Sequence, residues 1–149
     1  MVKVTHVVTF ARPASRVFAA LTDFEHAYRW QTGEVLKEWK ETDQSLGIGS
    51  NIYQRRLFMG KPIESMNTVT EFEQDQKLIA QNPNTRVEYL ITELGKNASQ
   101  LHFTIEIQLQ GKQKLFAPLA RRGVQKDVVT RFQNLKRYLE TGATLRNTW

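Results

Sequence analysis

A chain of 149 residues has room for one ordinary domain, and with 40% hydrophobic and 24% charged residues it can build a core and is not composed like a disordered segment. It contains no cysteine, which excludes disulfide scaffolds, thiolate zinc sites and thiol nucleophiles, and no run approaches the ~18 consecutive apolar residues of a membrane span. The net charge of +6 is unevenly placed: Lys112–Trp149 holds nine Lys or Arg against Asp127 and Glu140, whereas the first 111 residues carry 12 basic and 13 acidic groups.

The opening MVKVTHVVTF alternates apolar and polar residues instead of presenting an apolar block, so a cytoplasmic protein is expected. Val2, Val4, His6, Val8 and Phe10 share the period of a strand with one buried face. Pro13 suits the first turn of a helix carrying Val17, Phe18 and Leu21. Asp23 is placed to cap a second short helix through His26, Tyr28 and Trp30, which Gly33 ends. Six strands are then predicted, at 34–41, 50–59, 62–73, 77–81, 86–94 and 100–109, separated by turn sequences short enough for a meander. In the last, Leu101, Phe103, Ile105, Ile107 and Leu109 alternate with polar residues. Beyond Gly111 the period becomes 3.6, and Leu115, Leu119, Val128, Phe132, Leu135 and Leu139 fall on one stripe of a helix from about Gln113 to Thr141. Gly142 is placed to cap that helix, and the tail 142–149 is expected to fray.

This order predicts an α+β fold in a single domain, 1–141: a curved antiparallel sheet of about seven strands wrapped around the long C-terminal helix. The two short helices should plug one end. The gap between sheet and helix is where a ligand would fit.

Ala11-Arg12-Pro13-Ala14-Ser15-Arg16-Val17-Phe18-Ala19-Ala20-Leu21-Thr22-Asp23 resembles the A-P-x-x-x-V-F-x-x-L-x-D opening of the SRPBCC superfamily, the START-like or helix-grip proteins, with Arg12 between the alanine and the proline. Trp30 stands at the superfamily's usual tryptophan. Gly47-Ile48-Gly49-Ser50, Val69-Thr70-Glu71-Phe72-Glu73 and Leu135-Lys136-Arg137-Tyr138-Leu139-Glu140 resemble its glycine turn, its V-x-E-[FY]-x stretch and its L-K-x-x-L-E ending. The likeness spans roughly residues 2–141 and is nearest to the polyketide cyclase/dehydrase branch. It implies the helix-grip fold and a cavity for a small hydrophobic or amphipathic ligand, lipid-like or polyketide-like. The superfamily holds carriers, receptors, cyclases, ATPase activators and oxygenase domains, so fold alone does not choose among them. The His/His/Asp iron set of the oxygenase branch is absent from the sequence, and no cofactor is expected.

Catalytic residues are not legible. His6, His26 and His102 sit in no motif, and no pair has the spacing of a helical metal site, so no metal is expected. His6 shares the face of Val4 and Val8, where a satisfied core or rim histidine is the plainer reading than a general base. His102 falls on a polar face. No G-x-S-x-G elbow, P-loop or dinucleotide fingerprint occurs.

The ligand-binding candidates are Trp30, Tyr53, Phe58, Tyr89, Phe103, Phe116 and Phe132, with Met66 as an adaptable apolar contact. Each taken alone is more often plain core than pocket lining. Arg55 and Arg56 are adjacent on a strand, so one points inward, and Arg55 is carried among the candidates as a carboxylate or phosphate selector. Two other functions remain open, a polyketide cyclase or dehydratase and a partner-binding module using the basic helix. That helix reads first as a solvated face, then as transient contact with an anionic membrane. Nucleic acid is disfavoured for want of a motif. A monomer or weak dimer is expected.

Overall fold

Alternation places Val2, Val4, His6, Val8 and Phe10 on one side of β1 (Val2–Phe10) in the computed structural model, which describes residues 1–41, 44–58 and 60–149. Pro13 precedes α1 (Ala14–Thr22), which buries Ala14, Val17, Phe18 and Leu21; a 3₁₀ turn, Phe24–Arg29, follows. The strands are β2 (Val35–Lys40), β3 (Asn51–Phe58), β4 (Lys61–Glu73), β5 (Lys77–Asn82), β6 (Thr85–Gly95) and β7 (Ala98–Ile107). Met59, at the end of the predicted strand 50–59, lies outside the described residues. A second 3₁₀ turn, Gly111–Phe116, leads into α2 (Ala117–Thr141).

All seven strands form one antiparallel sheet in the order β1-β7-β6-β5-β4-β3-β2, a meander whose first strand returns beside the last. Register shifts at Val35/Lys37, Val69/Glu71 and Glu93/Gly95 insert bulges that help to curl it. The result is the expected α+β helix-grip fold, a curled half-barrel holding a long C-terminal helix. Among the described residues no helix is long and apolar enough to cross a membrane.

The 3.6-period stripe is right for Val128, Phe132, Leu135 and Leu139, all buried, but Leu115 and Leu119 are 80% and 67% exposed. The α-helix begins only at Ala117, with Pro118 in its first turn, where a missing N–H costs nothing and a fixed φ favours a helix start. Leu115 falls in the preceding 3₁₀ turn, and Leu119, nine residues before Val128, lies about half a turn round the helix from the buried stripe. At the other end Gly142, at φ 78°, donates its N–H to the Tyr138 carbonyl at 2.9 Å, a left-handed cap that suits glycine.

The tail does not fray. Leu145 N–H reaches the Arg29 carbonyl at 2.8 Å, Arg146 donates to the carbonyls of Thr32 (3.1 Å) and Val35 (2.9 Å), and Trp149 Nε1 donates to that of Glu25 (2.9 Å). Residues 145–149 thus tie down the turn between α1 and β2.

Residues opposite each other in an antiparallel pair share a face. His6, Phe103, Tyr89 and Leu78 therefore line up across β1, β7, β6 and β5 on the concave side. The same rule puts Glu38, Gln54 and Ser65 together across β2, β3 and β4. The strand that α2 approaches most closely is β1. At one end of the sheet α1 packs against β6 and β7, and Ser99 Oγ donates to the Arg12 carbonyl at 2.9 Å. The other end carries the β3–β4 and β5–β6 turns and the chain leaving β7 for α2, joined where Gln110 Nε2 donates to Asn84 Oδ1 at 2.7 Å.

Candidate functional site

The concave face is divided. Over β1, β6 and β7 it is apolar: the rings of Phe103 and Phe132 lie 4.9 Å apart, Tyr89 stands 5.1 Å from Phe103 and 6.5 Å from Phe132, and His6 stacks on Phe132 at 6.1 Å. These rings fill the space between strands and helix on that side. Over β3–β5 it is mixed: Ile52, Val69, Leu78 and Ala80 are buried, whereas Gln54, Arg56, Ser65, Asn67 and Asn82 on the same face are polar and half-buried, with Asn82 Nδ2 donating to Asn67 Oδ1 at 2.8 Å.

A charged cluster lies where the two halves meet. Arg131, on the buried stripe of α2 and 6% exposed, donates through one terminal nitrogen to Asp127 Oδ2 at 2.8 Å, one turn earlier. Its guanidinium carbon sits 5.6 Å from the Phe103 ring and 5.8 Å from the Phe132 ring. Asp127 Oδ1 accepts from Thr32 Oγ1 at 3.0 Å and lies 3.6 Å from an Arg56 terminal nitrogen. Facing them, Glu38 is 6% exposed, and its Oε1 accepts from Gln31 Nε2 at 2.5 Å and Gln54 Nε2 at 3.3 Å.

Burial pushes the Glu38 carboxyl above its ordinary range, and the opposing pull of Arg131, the two amides and Arg56 does not offset it. Burial works the same way on Asp127, but Arg131, by charge and hydrogen bond, together with Arg56 and Thr32, holds that carboxyl below its usual value. The Tyr89 hydroxyl is raised by burial despite Arg131 nearby. Burial opposes the charge on Arg131, yet Tyr89, Asp127 and Glu38 hold it above the ordinary arginine value. The pattern is one carboxyl raised by burial facing an ion pair whose carboxyl is lowered. Among the described residues, two buried polar atoms at this cluster have no hydrogen-bond partner: Arg131 Nε and Gln31 Oε1.

The sequence candidates are scattered differently from expectation. Tyr89, Phe103 and Phe132 come together on the concave face, and Trp30 is buried in the core. Tyr53, Arg55 and Met66 lie on the opposite, convex face: Tyr53 stacks on Trp39 at 5.4 Å, Met66 sits across from it, and Arg55 pairs with Glu64 at 3.1 Å. Alternation along β3 turns Arg56 inward, not Arg55. Phe58 shares the face of Gln54 and Arg56 but stands at the open end of β3, 54% exposed, and Phe116, in the turn before α2, is 61% exposed; neither belongs to the buried interior. Sequence reasoning misses Glu38, Gln31, Gln54, Asp127 and Arg131. For Arg131 a signal exists, because it stands three residues after Val128 and four before Leu135, inside the apolar stripe. Glu38 has none, since the bulge at Val35/Lys37 shifts the alternation of β2.

A surface groove of about 320 Å³ also runs between α1 and the C-terminal turns of α2, lined by Arg16, Asp23 and Tyr138 among others. It gathers no buried unpartnered group, so the concave cluster is the better site. Among the described residues, no three His, Asp or Glu converge as metal ligands.

Residues 1–140 match the family described as polyketide cyclase / dehydrase and lipid transport. No curated protein matches the sequence. Among solved structures, TTHA0849 from Thermus thermophilus is 14% identical with a TM-score of 0.77, covering 95% of this chain and 99% of that one. A START superfamily protein from Mycobacterium smegmatis is 16% identical with a TM-score of 0.74 over 95% of this chain and 99% of its own. The di-domain ARO/CYC BexL from the BE-7585A biosynthetic pathway is 11% identical with a TM-score of 0.71, covering 94% of this chain and 47% of that one. At these identities the likeness is one of fold.

Proposed function

The chain belongs to the polyketide cyclase/dehydrase and lipid transport family, and on that premise we propose that it binds a hydrophobic or amphipathic small molecule on the concave face, between the sheet and α2. The observation that carries this reading is the pair of unpartnered buried atoms, Arg131 Nε and Gln31 Oε1, at the border of the apolar and polar halves. Each unsatisfied buried group costs about 1–3 kcal/mol, so a ligand supplying an acceptor to one and a donor to the other gains both. A β-hydroxyketone, or the enol of a β-diketone, has that pair of groups on two carbons separated by a third, on an otherwise apolar chain. Tyr89, Phe103 and Phe132 offer the apolar wall.

A second reading, polyketide cyclisation or dehydration, is favoured by the contrast between Glu38 and Arg131. The methylene between two ketones would lose its proton to solvent water, which also returns a proton to Glu38 at the end of the cycle, and Arg131 facing the enolate oxygen would stabilise the charge that forms. The carbanion then adds to a carbonyl carbon of the same chain. Protonated Glu38 would give its proton to the resulting alkoxide. Asp127, held ionised, is a weak base and orients Arg131.

Native mass spectrometry of freshly purified protein, followed by denaturing extraction, tests binding: a stoichiometric adduct that Arg131→Met no longer retains supports it, and an adduct indifferent to that change refutes the site. Incubation with a linear poly-β-ketone thioester tests the second reading, which requires cyclised product above the spontaneous rate and its loss in Glu38→Gln.

A further inference from the structure

From Ile107 to Lys126 the chain holds Lys112, Lys114, Arg121, Arg122 and Lys126 and no acidic residue. The same stretch exposes Leu115 (80%), Phe116 (61%) and Leu119 (67%), three large apolar side chains within five residues. Helical spacing puts Leu119 one turn from Arg122. All five cations are exposed, and none has an ion-pair partner among the described residues. The β3–β4 turn at the same end of the sheet adds Phe58 (54% exposed) with Lys61 directly opposite it.

Solubility explains exposed lysines but not three exposed apolar groups among them. A soluble acidic partner would match the charge alone. A surface with both a negative sheet of headgroups and an apolar layer beneath it matches both at once. We propose that this end of the molecule, the second 3₁₀ turn with the first turns of α2, docks on an anionic lipid bilayer, the cations meeting headgroups and Leu115, Phe116 and Leu119 entering the headgroup–acyl boundary. The surface is separate from the buried Arg131 cluster and stands whatever that cluster binds.

The test is co-sedimentation of the full chain with phosphatidylglycerol-containing vesicles and with vesicles of phosphatidylcholine alone. Binding is expected only to the former, weakening steeply with salt. At about 1 kcal/mol per cation, Arg121→Glu with Arg122→Glu should lower the partition about thirtyfold or more. Leu115→Ser with Leu119→Ser, which keeps every charge, should lower it at least about tenfold. Both pairs of substitutions are at exposed positions, and an unchanged Tm confirms that each variant folds. Three results would overturn the proposal: no binding to anionic vesicles, binding that the serine variant leaves intact, or a dimer in solution that the serine variant dissolves. Equal affinity for single-stranded DNA, insensitive to the serine changes, would also overturn it and assign the patch to simple polyanion attraction.

Discussion

Arg131 is the residue whose removal discriminates best between a structural ion pair and an incidental one. It is 6% exposed, and its partner Asp127 keeps only 13% of its side chain accessible. Breaking a pair at this depth by removing one member costs about 3–5 kcal/mol, because the survivor is left charged and poorly solvated. In Arg131→Met, Asp127 still holds Thr32 at 3.0 Å and Arg56 at 3.6 Å. Methionine keeps the contact with Phe103 and Phe132 and removes the unpartnered Nε. These offsets lower the expected loss to about 2–3 kcal/mol, or roughly 5–10 °C in Tm for a chain of this size. The double variant Asp127→Leu/Arg131→Met removes both charges and should recover most of that loss. The carboxyl of Asp127 is held below its unfolded value, so its contribution is present above about pH 4 and is lost as pH falls through the folded pKa. The wild-type advantage over Arg131→Met should therefore shrink below pH ~4. Urea denaturation of the four proteins of the cycle across pH reads all of this. A single variant as stable as wild type, or a double variant whose loss equals the sum of the two singles, would refute the reasoning.

Glu38→Gln keeps the amide contacts and removes a carboxyl that folding prefers protonated. The wild-type stabilisation is fully present below the unfolded pKa and is lost as pH rises through the raised one, so the variant should match wild type near pH 4 and gain on it above, by about 1.4 kcal/mol per pH unit within that window. A pH-independent difference in urea midpoints would sink this. Deleting residues 145–149 removes four hydrogen bonds to the turn between α1 and β2. It should cost about 2–4 kcal/mol and raise amide exchange across residues 24–35, whereas unchanged exchange there would mean the tail is idle. Arg55→Ala, on the convex face, should stay within about 0.5 kcal/mol of wild type, while Arg56→Ala, beside Asp127, should cost about 1–2 kcal/mol; equal effects would contradict the assigned faces.

The fold is legible in the sequence because its signals are local and repeated. Period-two alternation marks β1 and β7 in chain order, Gly and Asn turns separate the strands, and a 3.6-residue stripe marks α2. The site is legible only in its apolar half. Tyr89, Phe103 and Phe132 belong to elements whose period is regular, so their faces follow from counting. Residue type alone argues for Tyr53, Arg55 and Met66 as inward groups, and the register β2–β3–β4 turns all three outward. Glu38 depends on a bulge, Gln31 on an irregular loop, and Asp127 on Arg131, whose place within an apolar stripe is the one available clue. A charge on a buried stripe carries more information than an aromatic on a strand, because burying it requires a partner.

The division of the concave face has a geometric origin. One helix cannot cover seven strands, and α2 lies nearest β1, so part of the inward face of β3–β5 must remain hydrated when nothing is bound, although Ile52, Val69, Leu78 and Ala80 on it are buried. Gln54, Ser65, Asn67 and Asn82 satisfy that requirement, and they bound the choice of ligand as well. A carrier of plain hydrocarbon would strip water from these groups and return nothing, whereas a ligand with spaced oxygens replaces the lost hydrogen bonds. Charge narrows the choice further. Arg131 pairs with Asp127, and Arg56 stands 3.6 Å from both Asp127 and Glu34, so two cations meet two carboxylates besides Glu38. A ligand without net charge leaves that balance undisturbed. Ionisation of Glu38 adds a third carboxylate to two cations, so on the proposed binding reading an anionic ligand should be retained less as pH rises, whereas a neutral one should be indifferent.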